Sequence, residues 1–132
     1  VPVVFAPGNI DFIVAGPIDD ARARYPGKRY HVHNPALTAV RTEAEELNRV
    51  AEHMVGLISR ARGPVAFFVP LLGFSAHDST EGHLHDPSLP PVFAARLKKL
   101  MPAGVPIREL QHHINDPEFA DAVCEQVARF LR

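Results

Sequence analysis

The sequence predicts an α/β domain: a three-layer, Rossmann-like arrangement with a mainly parallel sheet and helices on both faces. Three observations lead there. Residues 65–71 (Val-Ala-Phe-Phe-Val-Pro-Leu) form an unbroken apolar run between Pro64 and Gly73, the pattern of a strand buried on both faces in a parallel sheet. From residue 29 onward, strand-like and helical stretches alternate as β-α-β-α-β-α, which implies right-handed crossovers. The chain has 132 residues and 46% hydrophobic content, which suits a single core.

Taken in order, residues 2–5 and 10–15 are short β-branched and aromatic runs separated by the turn Ala6-Pro7-Gly8-Asn9. They are expected to add to the sheet or lie at its edge. Residues 19–28 are charged, contain Pro26-Gly27 and read as a loop with a partial helical turn. Residues 29–33 read as a strand, and 35–41 as one or two helical turns after Asn34-Pro35. Thr42-Glu43-Ala44-Glu45 has the Thr-x-x-Glu spacing of a capping box. Behind it Leu47, Val50, Ala51, Met54 and Ile58 recur at helical spacing, predicting a helix over 42–60 that Gly63-Pro64 stops. A long polar loop covers 73–86. A helix is expected at 89–101, a strand at 106–110 and a last helix opened by Asp116-Pro117, with Phe119, Ala120, Val123, Val127 and Phe130 on its apolar face.

Charge and composition narrow the function classes. A net charge of −1 argues against a broad nucleic-acid surface or a polybasic membrane anchor. No apolar run approaches the ~20 residues that span a bilayer, and no signal peptide is visible; a cytoplasmic setting without membrane or nucleic-acid partners is expected. The single cysteine, Cys124, excludes an intrachain disulfide and a Cys-based zinc site; it falls in a helical apolar pattern and is expected to be buried. Val1 is not an initiator methionine and the chain opens directly in a strand, so residues 1–132 are expected to be one domain from a longer polypeptide.

Six of the eight histidines lie in three related stretches: His31-Val-His33-Asn34-Pro35, His83-Leu-His85-Asp86-Pro87 and His112-His113-Ile-Asn115-Asp116-Pro117. Asn or Asp before Pro is a common helix start, which accounts for Asn34, Asp86 and Asp116. If each stretch follows a parallel strand, all three converge on the carboxyl edge of the sheet, where ligands bind. Three chemistries are open there. Imidazoles with Asp78, Asp86 or Asp116 suit a metal, His33, His85 and His113 being the set to consider, although no compact metal motif is present. A His–carboxylate pair with Ser75 as nucleophile suits hydrolysis, but Gly73-Phe-Ser75-Ala-His77 lacks the second glycine of a nucleophile elbow. An anion at helix N-termini, aided by His33, Arg41 and Ser75, asks least of the sequence. His53 reads as a solvent-exposed helix residue.

Several stretches together resemble a known family. They are His33-Asn34-Pro35 with Thr38, Arg41 and Thr42; Pro70-Leu71-x-Gly73-x-Ser75-Ala76-x-Asp78; His85-Asp86-Pro87; and His112-His113-Ile114-Asn115-Asp116-Pro117-x-Phe119-Ala120. In this order the sequence resembles the Tm-1-like, ATP-binding family, also known as UPF0261, and Gly8-Asn9-Ile10-Asp11 is similar to the stretch that opens this part of it. The resemblance implies a longer protein of two Rossmann-like domains, this chain being the distal part of the second, with a Gly-rich stretch ahead of residue 1. It also implies ATP, with much of the phosphate site supplied from outside this chain. His77, where an apolar residue is expected, and Pro90-Pro91 depart from the pattern.

The expectation is therefore a pocket for a nucleotide or other anionic small molecule, in a protein that also contacts the rest of its polypeptide and forms homo-oligomers, with no metal. Its residues are His33, Asn34, Arg41, Gly73, Ser75, Asp78, His113 and Asn115, with His33 and His113 as candidate acid and base. A His/Asp or metal-dependent hydrolase and a ligand-free interaction module are the alternatives.

Overall fold

A computed structural model describes all 132 residues. The strands fall into two sheets of opposite character. Strand β1 (Val3–Phe5), β5 (Val65–Pro70) and β6 (Ile107–Leu110) form a parallel sheet in the order β1-β5-β6. Strand β2 (Phe12–Ala15), β4 (Leu37–Arg41) and β3 (Tyr30–Asn34) form an antiparallel sheet in the order β2-β4-β3. Four helices accompany them: α1 (Ile18–Arg24), α2 (Ala44–Ile58), α3 (Leu89–Leu100) and α4 (Pro117–Phe130).

β5 is the centre of the fold, and all six of its residues are buried. Alternation along the strand sends Val65, Phe67 and Val69 to one face, where they pack with Leu47, Ala51, Val55 and Ile58 of α2 and Phe93, Ala94 and Leu97 of α3. Ala66 and Phe68 face the other way and meet Phe119 of α4. Burying a Phe or Leu side chain contributes ~1.5–3 kcal/mol, so the α2–α3 face carries most of the stabilisation.

The expected single, mainly parallel sheet is thus replaced by two sheets, and the reason lies at residues 35–41. These form a strand instead of helical turns. Asn34 Oδ1 accepts the Ala36 N–H at 2.9 Å, an Asx turn that reverses the chain. Leu37, Thr38 and Val40 then favour extended backbone, and β4 pairs antiparallel with both β3 and β2. The Asn34-Pro35 step therefore opens a hairpin, and no helix N-terminus lies there. Residues 18–24, expected to be mostly loop, form α1, which buries Ala21 against Ala15 and Val40.

Two smaller corrections have local causes. Thr42 is buried: its N–H bonds the Asp11 carbonyl and its hydroxyl the Ile10 carbonyl at 2.7 Å. Helix α2 therefore starts one residue later, and the capping box uses Glu43 and Glu46, with Glu46 accepting the Glu43 N–H at 2.9 Å. Cys124 lies on the exposed side of α4, not in the core. His53 is exposed, as its place on α2 predicts, α3 runs within a residue of its expected limits, and α4 opens at Pro117 as expected.

Lys28 ties the α1–β3 loop to this helix start, with Nζ 2.9 Å from Glu43 and 2.7 Å from Glu46. Partial burial raises the Glu46 carboxyl, but the bonds from Lys28 and the Glu43 N–H outweigh it and hold the group below the ordinary glutamate range. Glu46→Ala should destabilise the fold by about 1–2 kcal/mol in urea denaturation, the usual cost of losing a cap. A lowered carboxyl contributes stability above its ordinary value and loses it as the pH falls through the lowered one. The gap between wild type and variant should therefore narrow on acidification.

Candidate functional site

The loops that leave the three parallel strands meet at one edge. Residues after β1 (Gly8, Asn9), after β5 (Phe74, Ser75, Ala76) and after β6 (Ile114, Asn115) line a cleft of about 260 Å³. Main-chain bonds from Asn9 N–H to the Phe74 carbonyl (2.9 Å) and from Ile114 N–H to the Gly73 carbonyl (3.1 Å) fix the three loops together. No ionisable side chain lines the cleft. The N–H groups of Gly8 and Ser75 have no partner among the turn and loop hydrogen bonds.

Behind the cleft lies a buried polar centre. Arg41 from β4 and Asp78 from the turn after β5 are each about 1% exposed, with Nη1 and Oδ1 3.0 Å apart. The guanidinium approaches off its N–H axes, so the contact is an ion pair without a hydrogen bond, and all three guanidinium nitrogens lack hydrogen-bond partners. Asp78 also accepts the N–H groups of Phe74 (3.3 Å) and Asp86 (3.0 Å). Asp11, fully buried, lies 3.8 Å from the same Nη1 and accepts the Ser75 hydroxyl at 2.6 Å. Burial raises the Asp11 carboxyl above the ordinary aspartate range, with the Asp78 charge adding to it, against the lowering by Ser75, a main-chain bond and Arg41.

Ser75, Ala76, His77 and Asp78 form a short 3-10 turn. Ser75 caps it, accepting the His77 N–H at 3.1 Å. The hydroxyl is thus engaged both as donor and as acceptor. His113 does not reach it: its Nε2 donates to the Ser75 main-chain carbonyl at 2.8 Å, while Nδ1 accepts the Asn115 N–H at 3.1 Å. That pattern assigns the neutral Nε2–H tautomer and makes His113 a strut between the β5 and β6 loops. Gly73 makes room for it. At φ +137° a Cβ there would lie 1.9 Å from the Asp78 carbonyl oxygen and 2.9 Å from the His113 ring.

The candidate residues therefore divide. Arg41, Gly73, Ser75, Asp78, His113 and Asn115 gather at the carboxyl edge. His33 and Asn34 sit on the β3–β4 hairpin, and no cleft is lined by both His33 and Ser75. Because the hairpin belongs to the antiparallel sheet, the three His/Asx-Pro stretches do not leave parallel strands in common; the loop after β1 takes the first one's place. His85 Nδ1 lies 3.7 Å from Asp78 Oδ1. No three His, Cys, Asp or Glu side chains come close enough to hold a metal ion, so His33, His85 and His113 are not assembled into such a set. Three participants, Asp11, His31 and His83, lie outside the expected set of site residues. Asp11 is the lone acid in an apolar stretch, a signal that it is paired. His31 and His83 meet ring to ring through loop packing that no local pattern announces.

A sequence model described as the C-terminal domain of an uncharacterised protein family, UPF0261, matches residues 1–131. The chain belongs to that family. Among its relatives, a UPF0261 protein of Brucella suis is 28% identical over 131 residues, 99% of this chain and 31% of that protein. One of Mesorhizobium japonicum is 34% identical over 125 residues, 93% of this chain and 32% of that protein. The tomato (Solanum lycopersicum) protein named ToMV resistance protein Tm-1 is 26% identical over 127 residues, 95% of this chain and 17% of that protein. This UPF0261 domain spans about a third of the length of its bacterial relatives. None of its helices is long and apolar enough to cross a membrane.

The buried centre makes two substitutions informative. Asp78→Ala strands Arg41 without its nearest counter-charge and should cost about 3–5 kcal/mol. Asp11→Asn keeps an acceptor for Ser75 and should cost about 1 kcal/mol or less; urea denaturation of both variants measures the difference. A raised carboxyl contributes stability that is full below its ordinary value and is lost as the pH rises through the raised one. Wild type should therefore gain on Asp11→Asn as the pH falls through that interval. Gly73→Ala, blocked by backbone and not by a flexible side chain, should lower the melting temperature more than Gly27→Ala, where no atom lies within 4 Å.

Proposed function

We propose that this UPF0261 domain binds a nucleotide or another anionic small molecule at the carboxyl edge of its parallel sheet, and that the remainder of a longer polypeptide completes the pocket. The observation that carries this reading is the cleft shared by the loops after β1, β5 and β6. Crevices beyond the carboxyl ends of parallel strands are where open α/β sheets bind ligands. Unpartnered N–H groups on Gly8 and Ser75 suit an anion, and no carboxylate lines the cleft to oppose one. At about 260 Å³ the cleft is below the ~300–1,000 Å³ usual for a whole drug-sized ligand, which is the support for a further wall. β1 pairs on one side only, so strands from the preceding polypeptide adding there would extend the sheet into the full Rossmann-like arrangement.

In this reading the cleft residues hold phosphate or carboxylate oxygens through main-chain N–H groups. His113 and Gly73 set the height of the Ser75–Asp78 turn, and Arg41 with Asp78 fixes that turn against β4. His113 acts as a positioning residue.

Isothermal titration of the full natural polypeptide with ATP, ADP and pyrophosphate tests the reading. Asn115→Asp places a carboxylate beside the cleft at an exposed site near the N-terminus of α4, where the fold tolerates one. It should weaken binding about tenfold or more, a difference of about 1.4 kcal/mol. Absence of heat with all three ligands, or equal affinity in the variant, would refute the assignment.

A further inference from the structure

The antiparallel sheet carries a second cleft that the carboxyl edge does not use. Phe12, Val14, His33, Leu37, Ala39 and His77 supply its side walls, and its volume is about 210 Å³. Register places its residues together: Val14 and His31 both pair with Ala39, and Phe12 pairs with Arg41. Paired residues share a face of the sheet. Two of its apolar members are open to water, Val14 at 64% and Leu37 at 42% exposure.

Histidines from two elements gather on this face. His31 stacks on His83 with ring centroids 4.4 Å apart and planes 7° from parallel, and lies 5.0 Å from His77. His77 meets Phe12 edge-on at 5.2 Å. None of His31, His33, His77 and His83 is paired with a carboxylate; the ion pairs of histidine are confined to His85–Asp78 and His112–Asp116. The nearby charges are already matched, Arg41 with Asp78 and Arg29 with Asp86. Partial burial, then the neighbouring His83, His77 and His33, hold the His31 ring below the ordinary histidine range. Stacked rings carry their nitrogens in parallel planes and not toward one point, and no three ligating side chains converge. The cluster is therefore set up for an anion and not for a metal.

We propose that this cleft binds a small organic anion, with its aromatic or other apolar body on Phe12, Val14, Leu37 and Ala39 and its acid group on His33 and His77. The anion replaces repulsion among imidazoles with charge-assisted hydrogen bonds, and binding draws protons onto the rings.

The test is a nuclear magnetic resonance titration of the full natural polypeptide with phenyl phosphate, phenol and inorganic phosphate, following the histidine ring signals. Phenyl phosphate should shift the signals of His33 and His77. It should bind about tenfold more tightly than either fragment, and about tenfold more tightly at pH 6 than at pH 8. His77→Gln should weaken it by a similar factor; His33→Gln, on the exposed hairpin, gives the same readout should the first variant fail to fold. Asn115→Asp should leave it unchanged, which separates this cleft from the carboxyl edge. Equal binding of phenol and phenyl phosphate, or an affinity independent of pH, or unchanged by His33→Gln, or lost in Asn115→Asp, would overturn the proposal.

Discussion

The pairing of Arg41 with Asp78 is the constraint on which the rest of the structure depends. Arg41 ends the central strand of the antiparallel sheet, and Asp78 sits in the turn that leaves the central strand of the parallel one. The 3.0 Å contact between them, with Asp11 alongside and Ser75 on Asp11, stitches the two sheets together. Buried ion pairs are a weak source of net stability, because desolvation offsets the attraction. Their directional demands are stricter than those of apolar packing. One guanidinium facing two carboxylates in a site nearly closed to water admits few arrangements of the loop after β5.

That loop matters because it is shared. Ser75 and Ala76 face the carboxyl-edge cleft, while His77 faces the cleft on the antiparallel sheet. Asp78 lies buried between them. A single 3-10 turn thus forms a wall of both clefts, and its position is held from below by Arg41 and from the side by His113. Gly73 is the hinge of this arrangement, since only a residue without Cβ passes under the Asp78 carbonyl.

Much of the fold is legible in the chain. The apolar run at 65–70 marks a strand buried on both faces, helical spacing marks α2, and Asp116-Pro117 marks the start of α4. The hairpin at 30–41 is misread because Asn-Pro starts a helix and an Asx turn with equal ease. The residues after the proline decide between them, and here Thr38 and Val40 find strand partners on both sides. The capping box shifts by one residue because Thr42 is held by residues more than thirty positions earlier, a tertiary demand that local spacing does not carry. For the same reason Arg41, Ser75 and Asp78 are identifiable as candidates from residue type, while their mutual contact, and that of His31 with His83, is set by topology alone.

The parallel sheet pairs Val3 with Val65 and Phe5 with Phe67. Everything between, including the whole antiparallel sheet and α2, is one excursion between two neighbouring strands. Closing a chain loop costs entropy that grows with its length, and contacts between residues far apart in sequence are slow to form. The hairpin β3–β4 and helix α2 rest on local contacts and shorten that excursion once formed. The order of folding is therefore written into the connectivity. On that argument the antiparallel unit is favoured to condense before β1 finds its place beside β5.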